Sequence, residues 1–110
     1  MKTIYVAGPM TGKPEFNFPA FFAVEARLQA DGWHVFNPAR NDLEHGVCVT
    51  GTTGDPKEIP NFSLREALKW DMQRICEADA IFMLKGWEHS SGARAEHTLA
   101  GALRLTVVYE

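Results

Sequence analysis

The sequence predicts an α/β fold, a three-layer sandwich with a short parallel sheet of about four strands between helices. Two observations carry this expectation. Short runs of β-branched and aromatic residues alternate along the chain with longer stretches of helical spacing. The punctuation between them, Gly8-Pro9, Asp31-Gly32, Asn37-Pro38 and Ser91-Gly92, falls where such elements should stop or start. Strand and helix in alternation imply right-handed crossovers, and therefore parallel strands with helices on both faces.

Residues 3–7 (Thr-Ile-Tyr-Val-Ala) read as a buried first strand that stops at Gly8-Pro9. Asn17 is the expected N-cap of the next helix, with Pro19 in its first turn. Phe21, Val24 and Leu28 follow at helical spacing, and Asp31-Gly32 ends the helix. Residues 33–36 (Trp-His-Val-Phe) read as a second strand closed by Asn37-Pro38. From about Ala39 to Asn61 the chain reads as a long loop containing Gly46, Gly51, Gly54, Pro56 and Pro60. Loops of this length inside a compact domain are usually functional or partly mobile. Ser63 caps a helix from Leu64 to Glu77, and residues 79–84 form a third strand. After a rim loop at 85–91, Ser91-Gly92 opens a helix to about Leu103, and Leu105 to Tyr109 is the last strand. This order is flavodoxin- or Rossmann-like, and such sheets bind ligands beyond the carboxyl ends of their strands. Here that edge comprises residues 8–12, 37–38 and 85–92.

With 110 residues the chain is long enough for one core, so residues 1–110 read as a single domain. A net charge of -3 gives no electrostatic footprint for a nucleic-acid polymer. Single nucleotides remain open as ligands, because backbone amides and a few side chains suffice to hold them. Cys48 and Cys76 form no C-x-x-C and read as free, structural thiols in a reducing compartment. His34, His45, His89 and His97 have no metal-binding spacing, and neither a metal nor another cofactor is expected. The N-terminus lacks a signal-peptide layout and no apolar run is of membrane-spanning length. A cytoplasmic protein without a membrane partner is the expectation.

Helical stripes carry the most informative signal. From residue 64 the core-facing positions step as Leu64, Leu68, Asp71, Ile75 and Ala78, and from residue 92 as Gly92, Glu96, Leu99 and Leu103. Asp71 and Glu96 thus interrupt apolar stripes. A buried carboxylate is costly unless it finds a partner or shifts its pKa. For either acid the alternative is an ion pair with Arg74 or Arg94, or a place at the stripe's edge. Glu96 also suits the positive end of its helix. Together the two acids point to glycosidic chemistry, one as nucleophile and the other handling protons or the sugar ring.

Gly8-Pro9-Met10-Thr11-Gly12 with Lys13 superficially resembles a phosphate loop, but Ala7 and Pro14 break the pattern, and a tight turn is the better reading. Ser90-Ser91-Gly92 is a stronger anion signal, because hydroxyls and a glycine at a helix start bring free amides toward a ligand. An ordinary cap is its alternative. Trp33, Phe36 and Trp70 read as core. Trp87, beside Ser90, either stacks on a base or packs inward; His89 either donates a proton or is solvated. His97 should point away from the stripe.

Tyr5-Val6-Ala7-Gly8, Asp71-Met-Gln-Arg-Ile-Cys-Glu-Ala78-Asp79 and Ser90-x-Gly92-x-x-x-Glu96 with Ala100 resemble, in order and spacing, the nucleoside 2-deoxyribosyltransferase-like family. The same motifs are similar to those of the 2'-deoxynucleoside 5'-phosphate N-hydrolases. Ile4-Tyr-Val-Ala-Gly-Pro-Met-Thr-Gly12 with Asn17-Phe-Pro-Ala-Phe-Phe22 also resembles a phage and prophage subgroup of largely unassigned activity. The resemblance implies cleavage or transfer at the N-glycosidic bond of a nucleoside or nucleotide. Glu96 is then the nucleophile, Tyr5 orients it, and Asp71 contacts the sugar or assists protonation of the leaving base. Ser90, Ser91 and Gly92 hold the 5' end, with Gly8, Pro9, Met10, Thr11 and Trp87 completing the substrate site. Thr11 stands where the hydrolases tend to carry arginine, and nothing matches the C-terminal extension of longer transferases. A homodimer or higher oligomer is the implied assembly. Two other functions remain open: an NAD glycohydrolase, and a nucleotide-sensing module without turnover.

Overall fold

The computed structural model describes residues 2–110, so Met1 lies outside it. Strands β1 (Thr3–Ala7), β2 (His34–Phe36), β3 (Ala80–Met83) and β4 (Thr106–Tyr109) form one sheet in the order β2-β1-β3-β4. Every pairing is parallel, with Tyr5 beside Phe36 on one side and Ile81 on the other. Helices α1 (Phe18–Ala30), α2 (Pro38–Glu44), α3 (Leu64–Glu77) and α4 (Ser91–Ala102) complete the chain. The architecture is the flavodoxin-like α/β sandwich that the alternation predicts.

Strand periodicity divides the core. Ile4, Val6, Ala80 and Phe82 face Phe18, Phe21, Val24 and Leu28 of α1. Tyr5, Ala7, Ile81 and Met83 face Ile75 of α3 and Ala93 and Ala100 of α4. Burying one such large apolar side chain contributes roughly 1.5–3 kcal/mol. Trp33 packs against the first cluster and Phe36 and Trp70 against the second, each only partly buried. The sheet order reverses at β1, whose neighbours β2 and β3 lie on opposite sides. The tyrosine in the middle of that strand therefore points to the α3 and α4 layer.

Several local expectations need correction. Asn17 occupies the N-cap position of α1 as expected, but its side chain makes no capping bond: its backbone is left-handed, at φ 62, and its amide donates to the Pro9 carbonyl at 2.9 Å. Leu64 is 65% exposed and Leu103 42%, so both stripes lose an end to solvent. Cys48 and Cys76 are unpaired as expected, but both are exposed and neither supports the core.

The largest correction concerns residues 39–61. Asn37 is extended and its side chain accepts from the Ala39 amide at 2.9 Å, while Pro38 supplies a preset first-turn φ. These two residues therefore start a helix as well as ending a strand. Glu25, buried within α1, accepts a bidentate pair from Arg40 and ties α1 to α2. Beyond α2 the chain folds back onto the segment after β1. Gly12 N–H donates to the Gly54 carbonyl at 2.8 Å, and Glu15 N–H to Thr52 at 3.0 Å. Gly54 lies at φ +97 with its Cα directly against the Lys13 backbone, so only glycine fits there. Glu58 closes the turn by accepting the amides of Thr53, Gly54 and Asp55. The segment is a built wall, with one short helix and a 3-10 turn at Pro56–Glu58. Among the described residues no helix is long and apolar enough to cross a membrane.

Candidate active site

A cleft of about 680 Å³ opens at the carboxyl edge of the sheet, a size suited to a small organic ligand. Gly8, Pro9, Met10 and Thr11, which follow β1, line one part of it. Ser90, Ser91, Gly92 and Glu96, at the start of α4, line another. Asp71 and Leu68 enter from α3, and Pro38 and Asp42 from α2. Val47, Val49, Ile59 and Phe62 give the folded-back segment an apolar inner surface.

Glu96 lies at the floor, 6% exposed. Beneath it Tyr5 is fully buried, and its hydroxyl donates to Glu96 Oε2 at 2.7 Å. The contact joins the middle of a central strand to the second turn of α4, so the sheet itself fixes the carboxylate's orientation. Asp71, from α3, lies close enough to both groups to perturb their ionisation. No base among the described residues neutralises the pair. Among the described residues Arg74 pairs with Glu77 at 3.2 Å, and neither acid has a salt bridge.

Burial dominates the electrostatics. It lifts Glu96 well above the usual carboxylate range; the charge of Asp71 adds to the rise, and the Tyr5 hydrogen bond opposes it. Burial also pushes Asp71 up to about 6, against the opposing pull of the neighbouring Glu96 and Tyr5 groups. The Tyr5 phenol rises for the same reasons, burial first and then the two neighbouring negative charges. Two carboxyls this close cannot both ionise cheaply, so near neutral pH the pair holds one proton. Burial lifts Glu96 further than Asp71, so that proton rests on Glu96, and its passage to Asp71 leaves Glu96 an anion held by a phenol donor. Such a carboxylate can attack an electrophilic carbon, and its neighbour can give or take the proton.

The segment Gly8–Gly12 is a tight turn whose amides are partly committed. Gly12 N–H goes to Gly54 and Lys13 N–H to Met10. Gly8 is required by packing, because a Cβ there would sit 2.6 Å from Leu84 Cβ. Ser90 caps α4 by accepting from the Ala93 amide at 3.2 Å, so the cap and the anion-facing amides coexist. Gly92 is different: a Cβ there would meet only Ser90 Oγ, at 4.0 Å. Nothing within the protein demands a glycine at Gly92, and the room it leaves faces the cleft.

Trp87 does not line the cleft. It stacks on His97, centroids 4.2 Å apart, with Tyr109 beside them. The 3-10 turn at Trp87–His89 directs the indole back onto α4, where an aromatic partner outcompetes solvent. His97 Nε2 and the Tyr109 hydroxyl are 2.8 Å apart, and His89 is exposed at the cleft. Two charged lining residues went unread in the sequence, Asp42 and Lys13 as a cleft cation. Burial, and then the charge of Asp71, raise Asp42 to about 7, while His45 pulls it down. The signal for Asp42 was available: Asn37-Pro38 starts a helix, and Pro38 and Asp42 share a face one turn apart. Among the described residues no group of three or more histidine, cysteine or acidic side chains could hold a metal ion.

No curated protein matches the chain. A family model described as a domain of unknown function, DUF4406, matches residues 2–109. By that match, which spans nearly the whole chain, the protein belongs to the DUF4406 family.

Proposed function

We propose that the protein cleaves or transfers at the N-glycosidic bond of a deoxynucleoside or nucleotide, with Glu96 as nucleophile. The observation that carries the reading is the buried Tyr5–Glu96 hydrogen bond, at the floor of a cleft and beside Asp71. A carboxylate anchored this firmly suits attack on C1', whose bond to the base must break at one defined angle. Asp71 takes the sugar side and accepts the proton whose departure frees Glu96 as the anionic nucleophile. The open space at Gly92 and the first-turn amides of α4 receive the 5' end. Water as acceptor makes the reaction a hydrolysis, and a second base makes it a transfer.

The test is to incubate the protein with deoxynucleosides, ribonucleosides, their 5'-monophosphates and NAD, and to measure free base. Base release is expected from a nucleoside or nucleotide. Glu96→Ala and Glu96→Gln should abolish it while ligand binding persists, because the nucleophile acts only in the bond-breaking step. Comparable release by Glu96→Ala overturns the assignment. Release from NAD alone would favour a glycohydrolase, and binding without any turnover a sensing module. The expected homo-oligomer is decided separately by light scattering at micromolar concentration.

A further inference from the structure

Glycosidases that form a covalent intermediate place their two carboxyls on opposite sides of the scissile bond, about 5–5.5 Å apart. Asp71 stands beside Glu96, where each shifts the other's ionisation, and so does not face it across the scissile bond. If Glu96 attacks the sugar, the leaving base still needs a proton from another direction. The α2 wall brings another carboxyl into the same cleft, Asp42, which shares the lining with the apolar residues Pro38, Val47 and Val49. A flat base fits those apolar surfaces and meets one carboxyl at its edge.

Resting on the glycosidic reading, we propose that Asp42 is the acid that meets the leaving base, and that it selects bases with a ring nitrogen beside an exocyclic amino group. Adenine (N7 and N6) and cytosine (N3 and N4) have this edge on the side away from the sugar, whereas guanine's equivalent, N3 with its 2-amino group, lies beside the sugar. A protonated carboxyl offers one donor and one acceptor, which match the ring nitrogen and the amino group respectively. Guanine presents two acceptors on its N7 edge, and thymine presents an N–H flanked by two carbonyls; neither pattern matches.

The groups facing Asp42 keep its proton in place. Asp71 of α3 contributes negative charge, and His45, on the turn closing α2, opposes it. Arg40 of the same helix is engaged by Glu25 of α1. Lys13, His89 and Glu96 line the same cleft. The net effect, dominated by burial, is a carboxyl raised to about 7, still substantially protonated at neutral pH.

The step balances. Glu96 carboxylate oxygen forms a bond to C1', the C1'–N bond breaks, and its electron pair stays with the base. The Asp42 proton moves to the ring nitrogen, so a neutral base leaves and Asp42 becomes a carboxylate. Water then adds to C1', Glu96 departs as a carboxylate, and the proton released by water returns to Asp42.

The test measures kcat/KM for nucleosides and 5'-monophosphates of adenine, cytosine, guanine and thymine, and for 4-nitrophenyl 2-deoxyriboside, whose leaving group departs as a stable anion. The wild type should favour adenine and cytosine by about 10- to 100-fold. Asp42→Asn should lower turnover of those two by about 100-fold or more and the nitrophenyl glycoside far less. In the wild type, the rate with adenine and cytosine substrates should fall as pH rises through about 7, with no matching fall for the nitrophenyl substrate. Asp42→Ser provides a second variant should the amide disturb folding. Retention by either variant of both the rate and the base preference overturns the proposal, as does a wild type that prefers guanine or thymine. A wild type that releases no base and no nitrophenol refutes the glycosidic reading itself.

Discussion

Asp71 should be a stability liability that the site requires. Its carboxyl rises from its ordinary 3.8 to about 6, chiefly through burial. A carboxyl that holds its proton more tightly when folded favours the folded state at low pH. That advantage is lost as pH climbs through the interval between the two values. At about 1.4 kcal/mol per pKa unit the gap is worth about 3 kcal/mol, and partial solvent access trims it to about 2. Asp71→Asn removes the charge while keeping the shape. Circular-dichroism melts should therefore show similar midpoints below about pH 4. The variant should pull ahead through the interval and remain higher by on the order of 10 °C at pH 8. Base release should meanwhile collapse. A variant that melts at or below the wild type at pH 8, or one offset equally at every pH, would refute the claim that buried charge is what costs stability here.

Tyr5→Phe removes the donor that holds Glu96 down, so the acidic limb of the pH–rate profile should move to higher pH. Turnover should fall about 10- to 100-fold, and a limb moving the other way would contradict the assigned role. Arg40→Ala should cost about 3 kcal/mol in chemical denaturation, because it strands Glu25, which is 3% exposed. Glu25→Ala should cost less, because the arginine it frees already reaches solvent. Gly54→Ala should destabilise the fold by about 2 kcal/mol or more and speed limited proteolysis between residues 46 and 58, because its φ of +97 and its contact with Lys13 admit no side chain.

Periodicity made most of this visible in advance. The strands were short apolar runs between clear stops, and Asp71 and Glu96 stood out because a charge interrupted each stripe. The same logic applied to α1 would have found Glu25, one position past Val24 and one turn from Phe21. It was missed because Phe21, Val24 and Leu28 already satisfied the helical pattern without it. Asn37-Pro38 carried two meanings, a strand's end and a helix's start, and reading only the first hid α2 and Asp42 with it. Trp87 could not be placed from sequence. Whether a loop indole meets a ligand or an aromatic neighbour depends on how a 3-10 turn aims it, and His97 and Tyr109 come close only through tertiary folding.

The main-chain bonds between residues 12–15 and 51–54, with the Gly51 amide donating to the Glu15 carboxylate beside them, carry an evolutionary consequence. Two stretches some forty positions apart in sequence are joined like the halves of a hinge plate, and a change in one is felt as a misfit in the other. Relatives that alter the length or shape of one stretch should alter its counterpart too. Because the second stretch continues from the wall bearing Val47 and Val49, diversification of the cleft-facing surface should arrive as paired changes rather than single ones.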